Sequence, residues 1–172
     1  MSPLLFYAMK NQKIDIFISI HPSYAQKIME GLKTVELRRK FPDFDTLNGR
    51  LLIYSTNPVK AAIGFAEIED VHYMSVNQLW KKFSDEAQIE KPSFKKYFEG
   101  LKYGYAIQLK NPKVFNRPLS MEYLSENYGL VPPQSYRYLD NDLEGIFSYG
   151  HARYKNSTRY KRSNSDRRQQ AN

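Results

Sequence analysis

The sequence predicts a single α+β domain built around a mostly antiparallel sheet. Segments in which apolar and polar residues alternate, the period of a strand, follow one another in runs with few helical segments between them. Such runs are typical of α+β domains whose sheet is antiparallel or closed. A length of 172 residues allows one domain with a sizeable core and is short for two.

The first strand and the first helix are predicted at residues 14–31. Isoleucine occupies every second position of 14–20, which predicts a strand with one buried face. Pro22 suits the first turn of a helix because its missing N–H is not needed there. Apolar residues then recur at helical spacing as far as Glu30, and Gly31 ends the helix because it tolerates a left-handed backbone.

Three more strands are predicted next along the chain. Residues 33–39 alternate apolar and polar side chains, so this strand has one strongly polar face. Residues 51–54 form a short, more buried strand. Residues 62–71 form a longer one that Gly64 interrupts, which indicates a bend or a bulge at that point.

The second half of the chain returns to helices and then to strands. Ser75 is a suitable cap for a helix that continues through Phe83, and a second helix follows Pro92 and is closed by Gly100. The remaining predicted elements are a strand over 103–109, a short strand at 113–115, a helix over 121–127 and a closing strand over 136–139.

Positive charge is concentrated at the C-terminal end. Of the net charge of +8, residues 151–172 carry +6 (seven Lys or Arg and one Asp), which leaves +2 for residues 1–150. This end has few apolar residues and cannot bury enough surface to offset the entropy of ordering. We therefore predict an N-terminal extension over 1–13, a folded domain over 14–150 and a disordered basic tail over 151–172.

Several kinds of chemistry are excluded or disfavoured by composition. Without cysteine there are no disulfides, no Cys-ligated zinc and no thiol nucleophile. The three histidines lack metal-ligand spacing, and there is no Gly-rich phosphate loop, so we predict no metal and no cofactor. No apolar run approaches the roughly 18 residues of a membrane span. A cytoplasmic location without membrane contact is the expectation.

Several segments, in the right order, resemble the ASCH family, whose domains are related to the PUA fold. The opening segments are ISIHPSYAQKI at 18–28 and GLKTVELRR at 31–39, which match the family pattern of strand, helix and G-x-K-T-x-E-x-R. Three later segments fit the branch with an E-x-R-R ending: LIYSTNPV at 52–59, AIGFAEI at 62–68 and PPQSY at 132–136. The resemblance covers roughly residues 14–140 and implies a PUA-like β-barrel with flanking helices.

The resemblance also implies a role with nucleic acid. Members of this branch are often called transcriptional regulators by analogy, and the family is associated with RNA or nucleotides. The implied function is binding of RNA or a modified nucleotide, with a regulatory role. The alternative is a hydrolase that uses Lys33, either an amidohydrolase on a modified cytidine or a ribonuclease. Whether the chain is an enzyme stays open at this point, because one fold hosts many activities.

The first candidate site lies on the polar strand after the first helix. Thr34, Glu36 and Arg38 share one face of it because side chains alternate, while Lys33 opens the strand and Arg39 follows. Such side chains around a pocket can bind a nucleobase edge together with its phosphate. The alternative is an exposed face whose ion pairs contribute little.

If the chain is an enzyme, Lys33 and Glu36 are the candidate catalytic residues. A desolvated lysine can lose its charge and act as a base, and the resemblance gives the matching lysine a catalytic role in the amidohydrolase members. Those members have a hydroxyl residue where this chain has Glu36, so it departs from their pattern. Their second carboxylate matches Glu86 or Glu90, and the sequence does not choose between them.

The second candidate site combines Tyr54 with Gln134, Ser135 and Tyr136. The Pro-Pro pair before Gln134 stiffens the loop, which lowers the entropy lost on binding. Gln can bind a base edge, Ser a phosphate and Tyr a base face. The alternative is a loop that covers one end of the sheet. The basic tail, with interleaved tyrosines, is predicted to add phosphate contacts that weaken with salt.

Overall fold

The structure is a computed structural model that describes residues 14–42 and 49–149, with only the backbone described at 141, 142 and 149. The predicted N-terminal extension and basic tail lie outside these residues. The strands within them are β1 (Asp15–Ile20), β2 (Val35–Arg38), β3 (Arg50–Ser55), β4 (Ala61–Ser75), β5 (Tyr103–Ser120) and β6 (Tyr136–Leu139). The α-helices are α1 (Pro22–Met29), α2 (Val76–Phe83), α3 (Lys91–Tyr97), α4 (Met121–Tyr128) and α5 (Gly145–Tyr149), the last preceded by a 3₁₀ helix (Asn141–Glu144).

The strands form one sheet in the order β2-β5-β4-β3-β1-β6. Every neighbouring pair is antiparallel except β1 with β3. The predicted α+β class with a mostly antiparallel sheet is therefore confirmed. No helix in the described part of the chain is both long and apolar enough to cross a membrane.

The sheet is open, which corrects the expectation of a closed barrel. Among the described strands, β2 and β6 are the two edges, and no backbone ladder joins them. An arginine side chain spans the gap instead: Arg38 on β2 donates to the carbonyl oxygen of Ser135, next to β6, at 2.7 Å. Because a guanidinium lies between the edges, they stay farther apart than the roughly 4.8 Å of paired strands.

The local signals for the helices hold in the structure. Pro22 begins α1, and Gly31 follows its end with a positive φ of 73°. The Ser75 side chain accepts a hydrogen bond from the backbone N–H of Gln78, and the two residues form a capping box at the start of α2. The four helices predicted before residue 130 are confirmed.

The short strand predicted at 113–115 is not a separate element, because β5 is continuous through this region. The Asn111-Pro112 pair is typical of a turn, but here it lies within β5, which stays paired with β4 on both sides of it. The register shifts between Phe65 and Glu67 of β4, opposite the pair, and Asn111 adopts a φ of 48°. A bulge places Pro112 where no ladder N–H is needed.

Gly64 lies at a bulge, as predicted. The register of β4 against both of its neighbours shifts beside it. A Cβ added at Gly64 would collide with the carbonyl oxygen of Lys113 and with the sulfur of Met29 on α1. Glycine is therefore required here, because α1 and β5 both approach the β4 backbone closely.

Both faces of β1 are buried, which corrects the expectation that this strand has one buried face. Ile16, Ile18 and Ile20 belong to one apolar cluster, against which α1 packs. Phe17 points to the opposite face and belongs to a second cluster. That cluster includes Ile146 and Phe147 of α5, a helix that the sequence did not predict. A third cluster lies between β2, α2 and α3.

Candidate functional site

A pocket of about 210 Å³ opens where the end of β1, the start of α1 and the strand β2 meet. The turn after α2 and the end of α3 complete its walls. It is lined by Ser19, Ile20, His21, Tyr24, Lys33, Glu36, Leu37, Arg38, Ile89 and Tyr97. We call it the ion-pair pocket.

The pocket contains one carboxylate between two cations. Lys33, Glu36 and Arg38 are 4%, 6% and 9% exposed. The Nζ of Lys33 is 3.4 Å from Glu36 Oε2, and Nη1 of Arg38 is 3.6 Å from Glu36 Oε1. Buried charges require such partners because removing them from water is expensive. The polar face of β2 is therefore a buried ionic row and not the solvated surface that was the alternative.

Lys33 anchors the turn after α2. Its ammonium donates to the carbonyl oxygen of Ala87 at 2.7 Å, and the backbone N–H groups of Thr34 and Val35 donate to the carbonyl of Glu86. Burial lowers the pKa of Lys33 below its ordinary value, and the attraction of Glu36 opposes this only in part. Lys33 therefore holds the pocket wall, and its ammonium group releases a proton more readily than that of an exposed lysine.

Arg38 joins the pocket to the loop before β6. Its Nη1 donates to the carbonyl of Ser19 at 3.2 Å, and its Nη2 lies 3.4 Å from the Ser135 hydroxyl in addition to the carbonyl bond. Two polar atoms in the described part of the chain are buried without a hydrogen-bond partner, Arg38 Nε and the Oγ of Ser19. Such atoms cost free energy, so a polar ligand that bonds them gains affinity.

Tyr24 of α1 and Tyr97 of α3 are the aromatic walls of the pocket. Burial raises the pKa of both phenols, and for Tyr24 the charges of Glu36 and Glu90 add to the effect. Both remain neutral rings that can stack and hydrogen-bond. Neither tyrosine was predicted as a site residue, because apolar spacing in a helix also marks a core residue. For Tyr24, its place in the family-like segment HPSY at 21–24 was the available signal.

A second depression of about 540 Å³ adjoins the pocket. It shares Arg38 and Tyr97 with the pocket, so the two cavities are adjacent. Its lining consists of Arg38, Arg39, Lys40, Tyr97, Leu101, Gln134 and Ser135. Three of these are cations and none is an acid. We call it the basic shelf.

Most of the residues predicted for the site meet at these two cavities. Lys33, Glu36 and Arg38 line the ion-pair pocket. Arg39, Gln134 and Ser135 line the basic shelf, although Gln134 and Ser135 come from the far end of the domain sequence. The two candidate clusters are thus parts of one surface, and Arg38 is the contact between them.

The other three predicted residues lie elsewhere. Thr34 is exposed and lines neither cavity. Tyr54 is 4% exposed in the second apolar cluster, with its ring edge-on to Phe17. Tyr136 is half-buried and packs against Phe41. None of these three is among the residues that line the pocket or the shelf.

The carboxylate beside Lys33 is Glu36. Glu86 contributes its backbone carbonyl to the start of β2, and Glu90 acts on Tyr24 through its charge. Neither of these two carboxylates lines the pocket. Within residues 14–42 and 49–149, no three His, Asp or Glu side chains are placed to hold a metal ion.

The chain belongs to the ASCH domain family. The family's sequence profile, described as "ASCH domain", matches residues 18–118. A protein of Zymomonas mobilis subsp. mobilis named "ASCH domain-containing ribonuclease" is 38% identical over 126 residues, which are 73% of this chain and 84% of that protein. "Large ribosomal subunit protein uL22" of Ureaplasma parvum serovar 3 is 30% identical over 125 residues, 72% of this chain and 39% of that protein.

Solved structures agree with this assignment. The crystal structure of ASCH from Zymomonas mobilis superposes with a TM-score of 0.73 at 34% identity, covering 78% of this chain and 94% of that one. Two further structures of the Zymomonas protein, a serine-to-alanine and a tyrosine-to-phenylalanine variant, superpose with the same TM-score of 0.73. The family and the fold class predicted from the sequence are confirmed.

Proposed function

We propose that this ASCH protein binds single-stranded RNA or a modified nucleotide, with one base in the ion-pair pocket and the neighbouring phosphates over the basic shelf. The observation that carries this proposal is a buried Glu36 beside two unpaired polar atoms, Arg38 Nε and Ser19 Oγ. A base edge carries donors and acceptors side by side, which is the pattern that such a set of groups would bind.

The walls of the pocket suit a base that has left its stack. Tyr24 and Tyr97 provide ring faces, and stacking on such rings is the usual way in which proteins hold single-stranded bases. A base inside a duplex cannot reach the buried carboxylate without being unpaired. Single-stranded segments are therefore the proposed partner.

The shelf supplies the charge that phosphates need. Arg39 and Lys40 are exposed and line it together with Arg38. Arg38 contributes to both cavities, so a nucleotide in the pocket would have its phosphate beside Arg39 and Lys40. The basic residues at 151–172 would add contacts that depend on salt, and RNA binding fits a cytoplasmic location.

The binding test uses a labelled eight-nucleotide RNA, fluorescence anisotropy and several salt concentrations. We expect Ser19→Ala to weaken binding about two- to ten-fold, the value of one hydrogen bond, without lowering stability, because the fold makes no bond to this hydroxyl. We expect Arg39→Ala with Lys40→Ala to reduce the slope of log affinity against log salt by about 1.4, since each phosphate contact to a single strand contributes about 0.7.

The matched control is Lys81→Ala with Lys82→Ala, which removes the same charge from exposed positions that line neither cavity. It should leave the salt slope near that of the wild-type chain. An equal reduction of the slope in both double variants would show that only the total charge matters. Unchanged affinity in Ser19→Ala would contradict the proposal that a base binds in the ion-pair pocket.

The second candidate function is cleavage of RNA. It is favoured by the 38% identity to the Zymomonas protein named a ribonuclease, of which this chain covers 84%. Lys33 and Glu36 are then the proposed catalytic pair, because their charged atoms lie 3.4 Å apart in the pocket and the lowered pKa of Lys33 makes its proton easier to release. The same RNA, run on a gel after incubation with the wild-type chain, Lys33→Met and Glu36→Gln, tests this candidate. An intact RNA with the wild-type chain would rule it out and leave binding.

A further inference from the structure

Three tyrosines form a row on the sheet beyond the pocket. Tyr73 on β4 and Tyr103 on β5 are 61% and 51% exposed, and their rings are stacked with centroids 5.5 Å apart and planes at 26°. Tyr105 is almost buried and supports Tyr73 at a centroid distance of 4.7 Å. We call these residues the tyrosine platform. Large exposed rings held next to each other commonly mark a binding surface.

The register of the sheet places this platform on the same face as the ion-pair pocket. Arg38 is directly opposite Tyr105, and Tyr105 is directly opposite Tyr73. Residues directly opposite each other in an antiparallel ladder point to the same face. A continuous row therefore runs from Arg38 across β5 to the exposed rings on β4.

Cations follow Arg38 in the chain and line the basic shelf. The residues after Arg38 continue alongside the start of β5, since the ring of Phe41 is 6.4 Å from that of Tyr105. Arg39 and Lys40 belong to this segment and are exposed. Leu101, two residues before Tyr103, lines the basic shelf together with them. The shelf thus extends to the strand end that carries the platform.

We propose that the tyrosine platform stacks the bases that flank the nucleotide in the ion-pair pocket, so that the site binds several consecutive nucleotides of a single strand. This inference rests on the proposed RNA-binding function and extends it to a second site. Ring faces bind any base, and the cations of the basic shelf match the phosphates that connect one base to the next. A site of this form would prefer oligonucleotides to mononucleotides and would tolerate sequence changes at the flanking bases.

The experiment compares a single ribonucleotide with an octanucleotide RNA at one salt concentration. We expect Tyr73→Ala with Tyr103→Ala to weaken octanucleotide binding at least about five-fold, the lower limit for losing one base–aromatic stack, and to leave binding of the single nucleotide unchanged. Tyr73→Phe with Tyr103→Phe keeps the rings and should keep the affinity. Val114→Ala, at a 53% exposed apolar position near the other end of β5, is the control for lost apolar surface.

The platform proposal is wrong if the double alanine variant keeps its affinity for the octanucleotide, or if it loses affinity equally for both ligands. It is also wrong if the wild-type chain is a dimer that the alanine variant converts to a monomer without a change in RNA affinity. The last would make these tyrosines a contact between copies of the chain. If Ser19→Ala has no effect while the platform variants weaken the octanucleotide, the pocket proposal fails and the platform stands.

Discussion

Replacement of Arg38 by methionine is expected to lower the free energy of unfolding by about 2 to 4 kcal/mol, because a buried ion pair and two hydrogen bonds are lost together. Glu36 would keep only Lys33 as a buried counter-charge. The carbonyl groups of Ser19 and Ser135 would lose their donor, and the two edges of the sheet would lose the side chain that connects them. RNA binding should fall with stability, since Arg38 lines both cavities.

The neighbouring arginine is a matched control. Arg39→Met makes the same chemical change one residue further along the chain, at an exposed position, and should change stability by less than about 0.5 kcal/mol. Urea denaturation followed by circular dichroism compares the two variants. Equal midpoints for Arg38→Met and Arg39→Met would mean that the buried guanidinium does not hold the sheet edges.

Arg50→Met is expected to have a comparable effect, about 2 to 4 kcal/mol, at a separate place in the fold. Arg50 is 8% exposed and its Nε donates to Asp15 Oδ1 at 3.1 Å, while Nη1 donates to Glu144 Oε1 at 2.9 Å. Its guanidinium lies 3.5 Å from the ring centroid of Phe147. Burial lowers the pKa of Arg50, but its hydrogen bonds to both carboxylates outweigh this effect and hold the pKa above its ordinary value. One charged side chain thus connects β1 and β3 to α5 and to the 3₁₀ helix before it.

A Glu144→Gln variant distinguishes the contribution of Glu144 from that of Asp15, and amide hydrogen exchange reports on α5 directly. Glu144→Gln should cost less than about 1 kcal/mol, because the Glu144 side chain is 60% exposed and its ion pair is screened by water. In Arg50→Met we also expect faster amide hydrogen exchange in α5, around Ile146 and Phe147. A variant with wild-type stability and unchanged exchange in α5 would contradict the proposed connection.

Most of the fold could be predicted from local patterns. The alternating isoleucines of β1 and the capping residues Pro22, Ser75 and Gly31 act on neighbours a few residues away, so a single sequence contains the information. The separate strand predicted at 113–115 was wrong, because a bulge lets β5 continue through Asn111-Pro112 while it stays paired with β4. The open sheet was also not predicted, because closure depends on the distance between β2 and β6, which are far apart in the sequence.

Part of the candidate site was predictable for the same reason. The polar face of β2 follows from alternation, and it holds Glu36 and Arg38 as expected. Burial of those charges could not be predicted, because it depends on the turn after α2, whose Ala87 carbonyl accepts from Lys33 across 54 residues of chain. Tyr97 lies within the helix predicted after Pro92, but only the packing of that helix turns its ring toward the pocket.

The sequence by itself determined the family, the α+β class, most of the strands and helices, and the polar strand that carries Lys33, Glu36 and Arg38. Only the tertiary structure decided that the sheet stays open and that Arg38 meets Ser135, 97 residues away. It also decided that Tyr73 and Tyr103 stack in line with that arginine. Local preferences act over a few residues, whereas strand register and helix packing decide which distant side chains share a cavity.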